Sequence, residues 1–447
     1  MGYQHRLEAL EASFLALERP GLPMHVAGVV VIEGRTPITL PELRHLVASR
    51  IRRLPRFREV VRFSRLDATR ASWMPVARLD LDAHLFHHRL PEPGRRAQLN
   101  ALCGRIHERL LPRDRPLWEM HLIDGLEGGG QAVVIKTHHS ITDGIAGIEI
   151  ARVLFDYTPA AMQTGWLAPA KFAAGGGGAG AWLLTGLQSL MGIAFTAAGG
   201  PIALQGPFNG SVGASRTFAT AMLPMDVIRQ TKRRYGGSVD DVVLASVAAG
   251  LRSYLDAVKY PEIPTALRAM VPVSTGPTAA STLGNHVTTV FIDLPLAAGE
   301  LPELIRIIAT EKLQRRGAHE AAGMSLLIEA AGWLPNRLHE TVVRMVGGTR
   351  YANLVLSDVP GPDEPMYLLG NRITACYPMI PLPPGIGLSI ATVSMGGVMS
   401  VGVVADPGLV PDVARLARAI EHVIPDHSRA VHARRSAGIK PHARRAA

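Results

Sequence analysis

The chain has very few cysteines, which limits the covalent and metal-bound structures it can form. Only Cys103 and Cys376 occur in 447 residues. They are far apart in the sequence and lie near no histidine cluster. Proteins held together by disulfides or by structural zinc need several cysteines at regular spacing. We therefore expect a protein of a reducing compartment, with neither a disulfide framework nor a metal site.

The patterns typical of nucleic-acid binding and of secretion are also lacking. The formal net charge is +10, yet aromatic residues make up only 5% of the chain, and no stripe of lysine and arginine interleaved with aromatics occurs. The N-terminal run contains Glu8 and Glu11 and has no apolar signal core. The sequence therefore predicts a cytoplasmic protein whose anionic partner is a phosphate group or a membrane surface.

Charged residues are scarce as well, at 19% against 47% hydrophobic. This composition is typical of a globular protein with a large core, and 447 residues suggest two domains. No charged residue occurs from 172 to 215. A transmembrane helix over Ala181–Leu204 is one interpretation, but the stretch contains Gln188 and the Gly199-Gly200 pair, and no second span follows. We favour a glycine-rich linker with an apolar crossover helix, either buried or resting on lipid.

Apolar runs and helical patterns alternate on both sides of this stretch, which predicts an α/β fold. We divide the chain into an N-terminal domain (1–160), the apolar linker (161–215), a C-terminal domain (216–426) and a basic tail (427–447). The predicted strands are Val26–Ile32, Ala132–Ile135, Arg268–Val273 and a hairpin of Leu388–Val393 with Val398–Val404 around Gly396-Gly397; the predicted helices are Pro41–Val47, Ala97–Leu110, Ile145–Ala151 and Leu244–Leu251.

The most informative motif is His138-His139-Ser140-Ile141-Thr142-Asp143-Gly144. It lies between a predicted buried strand and a predicted helix, a junction that holds a side chain rigidly at the edge of a sheet. Histidine titrates nearest to neutral pH and is the usual general base for a hydroxyl or thiol. The motif therefore indicates acyl transfer to an alcohol.

Two simpler interpretations of the histidines stay open from the residues alone. Either can be a structural histidine with satisfied hydrogen bonds, and two histidines can bind a metal ion. Adjacent side chains usually point in different directions, which argues against one shared metal. The zinc-binding pattern of two histidines four residues apart, with a glutamate between them, is absent.

Further segments give the motif a family context. The chain resembles the bacterial wax ester synthase/diacylglycerol acyltransferase family, within the CoA-dependent acyltransferases related to chloramphenicol acetyltransferase and to peptide-synthetase condensation domains. The resemblance covers nearly the whole chain. The histidine motif is shared across the superfamily, whereas the other segments are more specific. These segments are Leu10–Glu18 with Met24–Val26, Pro116–Glu119 (the family's P-L-W), Val239–Val242 (usually N-D-V) and Ser357–Pro362 (usually S-N-V-P-G-P).

The resemblance implies two chloramphenicol acetyltransferase-like α/β domains with an active-site channel between them. It implies transfer from a long-chain acyl-CoA to diacylglycerol or a long-chain alcohol, without a cofactor, by an enzyme peripheral on the inner face of the cell membrane or on lipid droplets. His139 would be the general base and His138 a supporting neighbour. Asp143 would be structural, paired with an arginine such as Arg56, Arg58 or Arg62. Gly144 would allow close backbone approach or a positive φ angle.

Three further residues are candidates for substrate binding, each with a structural alternative. Trp118 either lines the acyl groove or is a core aromatic, and we favour the core. Asp241 forms an ion pair across the domain interface or lies at a helix N-terminus. Asn285 either donates to an oxyanion or belongs to an ordinary turn.

Asp240 and Asp358 stand where the family usually has asparagine. An ionised aspartate only accepts hydrogen bonds, whereas asparagine also donates. Contacts that an asparagine would donate must therefore be made differently. Two other functions remain open: a condensation-type or polyketide-associated acyltransferase with a carrier-protein donor, and a non-catalytic lipid-binding homologue.

Overall fold

The computed structural model describes residues 5–33, 36–63, 71–141, 144–159, 205–274, 287–297, 299–316 and 351–424. These residues form two large mixed sheets and one small sheet. The small sheet is antiparallel and has the strand order β1-β4-β3, with β1 at His5–Arg6, β3 at Glu59–Phe63 and β4 at Ala71–Pro75.

The N-terminal sheet carries the histidine motif and has the strand order β12-β13-β2-β7-β6-β5. Its β5–β6 pair is parallel and the other pairs are antiparallel. The strands are β2 His25–Ile32, β5 Leu85–Arg89, β6 Trp118–Asp124, β7 Gln131–His138, β12 Tyr367–Leu368 and β13 Asn371–Met379.

The C-terminal sheet has the strand order β10-β9-β11-β14-β15-β8. Strand β11 lies parallel between β9 and β14, and the remaining pairs are antiparallel. The strands are β8 Thr217–Pro224, β9 Ala266–Ser274, β10 Val287–Pro295, β11 Leu354–Pro360, β14 Leu388–Met395 and β15 Val398–Ala405.

Helices cover the faces of these sheets. Hydrogen bonds between Thr39 and Glu42 cap the start of the second helix, which is the arrangement this Thr-x-x-Glu spacing predicts. The α-helices are α1 Ala9–Leu17, α2 Leu40–Arg50, α3 Arg96–Glu108, α4 Gly144–Leu154, α5 Met225–Tyr235, α6 Val239–Ala257, α7 Leu301–Arg316 and α8 over 413–424; short 3-10 turns occupy Ile51–Arg53, Pro55–Arg58 and Leu81–Ala83.

Strand β2 shows why the N-terminal sheet is buried on both faces. Val30 and Ile32 pack into one apolar core with α2 and Trp118, whereas Ala27 and Val29 pack into a second core on the opposite face. Successive side chains of a strand point to opposite faces, so a continuous apolar run suits such a position. The second core also contains residues of α3, β8 and β15, and it therefore joins the two halves of the molecule.

The predicted elements agree with the structure, and the two-domain α/β architecture is confirmed. The predicted glycine turn joins β14 to β15, with φ of +56° at Gly396 and +88° at Gly397. The apolar crossover helix, with its transmembrane alternative, and the basic tail lie outside the described residues. In the described part of the chain, no helix combines the length and the apolar character needed to cross a membrane.

One feature departs from a linear division of the chain. Strands β12 and β13 belong by position to the predicted C-terminal domain, yet β13 hydrogen-bonds to β2 of the N-terminal sheet. The chain then returns to the C-terminal sheet through β14. The two halves are therefore linked by shared strands as well as by the core between them.

Gly402 of β15 allows this close approach of the two sheets, and we expect Gly402→Ala to destabilise the fold. A Cβ atom there would lie 1.8 Å from the carbonyl oxygen of Pro378 in β13. The backbone would have to shift, at a cost of about 1–3 kcal/mol in the free energy of unfolding. Urea denaturation measures this change.

Gly147→Ala is the matched control, because a Cβ at Gly147 in α4 meets no atom within 4 Å. Alanine is also the better helix former, so this variant should keep or raise stability. Equal effects of the two substitutions would contradict the close approach at Gly402.

Candidate active site

The histidine motif lies at the strand-to-helix junction that the sequence predicts. Strand β7 ends at His138, a turn follows, and α4 begins at Gly144. The His138 backbone N–H donates to the Leu117 carbonyl at 3.0 Å, and that of His139 donates to the Met24 carbonyl at 2.8 Å. Backbone on both sides of β7 therefore holds the junction in place.

His138 is fully buried, and its ring protonation follows from its hydrogen bonds. The Ser140 backbone N–H donates to His138 Nδ1 at 3.0 Å. A backbone N–H can only donate, so Nδ1 carries no proton and the ring proton of neutral His138 lies on Nε2. That atom lies 3.3 Å from Oε2 of Glu18. His138 therefore has one nitrogen hydrogen-bonded to the backbone and the other beside the buried Glu18 carboxylate.

Glu18, which follows α1, is the centre of a buried polar network. Its side chain is 2% exposed, and its Oε2 lies 3.0 Å from His25 Nε2 while its Oε1 lies 3.1 Å from Arg113 Nη2. Burial alone would raise the pKa of Glu18, but hydrogen bonds from His138 and His25 outweigh it and hold that pKa well below the ordinary range. Glu18 is therefore a buried carboxylate with three partners.

His25 at the start of β2 completes this network as a neutral ring. Burial lowers the pKa of His25 to about 4, although Glu18 acts in the opposite direction. His107 of α3 packs against it edge to face and donates from Nε2 to the His25 carbonyl at 3.1 Å. The network thus connects the end of α1 with β2, β7 and α3, and it includes His138 of the histidine motif.

His139 differs from its neighbour because it is only half-buried. Its ring stacks on Phe14 of α1, with centroids 4.0 Å apart and ring planes 8° from parallel. A cavity of about 290 Å³, lined by residues that include Leu15, Arg113 and Leu117, adjoins the Glu18 network from the side of the small sheet. Of the two motif histidines, His139 has the more accessible ring.

The other predicted site residues fall into two groups. Asp143 and Asn285 lie outside the described residues, so the arginine partner of Asp143 and the oxyanion role of Asn285 stay predictions. Arg56, one candidate partner, contacts Glu59 at 2.8 Å and Glu11 at 3.5 Å. Gly144 is the first residue of α4.

Trp118 and Asp241 occupy structural positions. Trp118 is fully buried, donates from Nε1 to the Phe57 carbonyl at 2.9 Å and stacks on His84. This supports its interpretation as a core aromatic over a role in lining the acyl groove. Asp241 caps α6 through Ser238 and lies 2.8 Å from Lys312 of α7. Its ion pair is therefore within the C-terminal half, and the expectation of a pair across the domain interface is not supported.

The two aspartates at usual asparagine positions face each other. Asp358 of β11 accepts a hydrogen bond from Thr392, and a further hydrogen bond joins its carboxyl group to that of Asp240 at the start of α6. Two carboxyl groups can share such a bond only when one carries a proton. Burial, together with Asp240, raises the pKa of Asp358 to about 6 against the opposing effects of Thr392 and Lys312.

We expect Asp358→Asn to stabilise the protein at pH 8 but not at about pH 3.5. The raised folded-state pKa means that the stability contributed by the shared proton is fully present below about pH 4 and is lost as pH rises through about 6. An asparagine amide donates a hydrogen bond at any pH and needs no added proton. The variant should therefore gain about 1–2 kcal/mol in the free energy of unfolding at pH 8. Urea denaturation at both pH values measures the difference, with the exposed Asp363→Asn as the control. A pH-independent difference would contradict the shared proton.

Comparison with known proteins shows which family the chain belongs to. The model of the wax ester synthase/diacylglycerol acyltransferase catalytic domain matches residues 7–196, and that of the corresponding C-terminal domain matches residues 283–425. A putative diacylglycerol O-acyltransferase of Mycobacterium tuberculosis is 30% identical over 445 residues, covering 91% of this chain and 87% of the relative. The chain belongs to the wax ester synthase/diacylglycerol acyltransferase family.

Solved structures agree with this assignment. The wax ester synthase/diacylglycerol acyltransferase from Marinobacter aquaeolei VT8 has a TM-score of 0.68 at 25% identity and covers 94% of this chain and 98% of its own. The first condensation domain of the calcium-dependent antibiotic synthetase has a TM-score of 0.63 at 18% identity, covering 95% and 97%. The latter similarity concerns the fold alone. The family and fold expected from the sequence motifs are therefore confirmed.

Sequence reasoning did not assign roles to Glu18, His25 and Arg113. Glu18 and His25 lie in the N-terminal segments that carry part of the family resemblance, and this was the available signal for them. Their connection to His138 was not visible, because Glu18 and His138 are separated by about 120 residues in the chain.

Proposed function

We propose that this member of the family is an acyl-CoA:diacylglycerol O-acyltransferase that forms triacylglycerol, with wax ester synthesis from long-chain alcohols as a second activity. The observation that carries the proposal is the unequal pair of histidines. His138 is buried, with one ring nitrogen on the Ser140 backbone and the other beside Glu18, whereas His139 at the same junction is only half-buried. The family membership and the names of the relatives support the substrate class.

His139 is the general base in this proposal. Its imidazole accepts the proton of the acceptor hydroxyl as that oxygen attacks the thioester carbonyl of acyl-CoA. A carbon–oxygen bond forms and the carbon–sulfur bond breaks. The departing thiolate takes the proton back from His139, which leaves an ester, free CoA and the unchanged enzyme. The Glu18 network fixes His138 and, through it, the backbone that positions His139.

A crossed assay tests the substrate class. Purified protein is given long-chain acyl-CoAs with diacylglycerol, monoacylglycerol or a fatty alcohol, and released thiol and ester product are measured together. We expect CoA release that depends on diacylglycerol. A carrier-protein thioester that outperforms acyl-CoA would favour a condensation-type enzyme, and tight lipid binding without thiol release would favour a non-catalytic homologue.

We also propose that the protein works at a membrane or lipid-droplet surface. Its acceptors are lipids, and its net charge of +10 favours contact with anionic headgroups. Co-flotation with vesicles containing anionic lipid, compared with neutral vesicles, measures this contact. Equal recovery with both kinds of vesicle would contradict an electrostatic contribution.

A further inference from the structure

A cavity of about 550 Å³ lies at the outer edge of the N-terminal sheet, between β5 and α3. Strand β5 is the edge strand of this sheet and is separated from β7, which carries the histidine motif, by β6. The lining of the cavity includes the basic residues His87, His88, Arg89 and Arg105, together with apolar residues such as Leu102.

The titratable side chains that line this cavity are all basic. No aspartate or glutamate lines it. Arg89 and Arg105 have no carboxylate partner among the described residues, whereas Arg50 pairs with Asp156 and Arg113 with Glu18. Both cavity arginines are exposed. Two guanidinium groups that pair with no described carboxylate therefore lie beside one concave surface.

A directed chain of hydrogen bonds orients His88 at the wall of the cavity. His121 Nε2 lies 3.3 Å from Oε2 of Glu119, and a carboxylate can only accept, so this nitrogen carries the ring proton. His121 Nδ1 then accepts from His88 Nε2 at 3.0 Å. The remaining nitrogen of neutral His88, Nδ1, is free of a proton and can gain one.

The electrostatic surroundings of His88 agree with a positive potential in the cavity. Burial lowers the pKa of His88, and the charged neighbours that lower it further are all basic: His121, His87, Arg109 and Arg105. The nearest acids are already engaged, since Asp124 lies 2.6 Å from His87 and Glu119 contacts His121. An anion in the cavity would relieve this accumulation of positive charge.

We propose that this cavity binds a phosphoryl group, supplied either by CoA or by the headgroup of an anionic phospholipid. Guanidinium groups bind phosphate oxygens through paired charge-assisted hydrogen bonds, and Arg89 and Arg105 have these donors available. The volume admits a phosphorylated headgroup or part of a nucleotide. The CoA alternative rests on the proposed function, whereas the phospholipid alternative does not.

Binding measurements on the full-length protein test the site without turnover. The double variant Arg89→Ala/Arg105→Ala is compared with Arg233→Ala/Arg418→Ala, which removes the same charge from exposed positions on α5 and α8. The probes are CoA, by calorimetry, and phosphatidylcholine vesicles with or without phosphatidic acid, by co-flotation. We expect the cavity variant to bind one probe at least about tenfold more weakly than the control variant does.

The two sources of the phosphoryl group give different patterns. If CoA is the ligand, its dissociation constant rises, as does the KM for acyl-CoA in detergent solution, while kcat is unchanged. If the headgroup is the ligand, only binding to phosphatidic acid vesicles is lost. Equal binding of both probes by the two double variants would overturn the proposal, even in a protein that shows full acyltransferase activity. Absence of that activity would leave the phospholipid result unaffected.

Discussion

His139→Ala should lower kcat for acyl transfer by about 10²–10⁴-fold, the usual contribution of one positioned general base. The side chain is half-buried and packs on Phe14, so its removal opens little space in the core. We therefore expect the variant to fold and to bind acyl-CoA as the wild type does. Free thiol release at saturating acyl-CoA and diacylglycerol measures the loss.

Two further histidine variants separate chemistry from structure. His45→Ala removes an exposed histidine from α2 and should leave kcat unchanged. His138→Ala removes a buried partner of Glu18, so it should lower the free energy of unfolding, an effect that His139→Ala should not share. Wild-type turnover by His139→Ala would refute the general-base assignment, whatever the other variants show.

Local signals account for the parts of the fold that the sequence predicts well. The Gly396-Gly397 pair permits the two positive φ angles of a tight hairpin turn, and the flanking apolar runs supply the strands. The strand before His138 and the helix after Gly144 are likewise marked by their own residues. In each case the determining pattern lies within about ten residues.

Contacts between distant residues could not be predicted in the same way. Strand β13 pairs with β2 across roughly 340 residues. The alternating apolar pattern of a strand does not indicate which sheet the strand will join. The Asp240–Asp358 contact is similar: each residue departs from the family's asparagine, but only the fold shows that they meet.

Glu18→Gln should cause the largest loss of stability, about 3–5 kcal/mol in the free energy of unfolding. The carboxylate lies 3.0 Å from His25 Nε2, 3.3 Å from His138 Nε2 and 3.1 Å from Arg113 Nη2. A glutamine offers one acceptor oxygen in place of two, and its amide group would face a ring N–H or the guanidinium. A buried donor would then lack an acceptor. Urea denaturation of the variant and of Glu127→Gln, an exposed control, measures the effect.

The pH dependence distinguishes loss of the charge from loss of packing. The pKa of Glu18 is depressed in the folded protein, so its contribution to stability is present above its ordinary pKa near 4.3 and is lost as pH falls below it. The stability gap between wild type and Glu18→Gln should therefore narrow on acidification. A gap that stays constant from about pH 5 to about pH 3 would indicate that packing, and not the buried carboxylate, holds His138 in place. Glu18→Gln should also lower kcat with little change in KM, because the network positions the histidine motif.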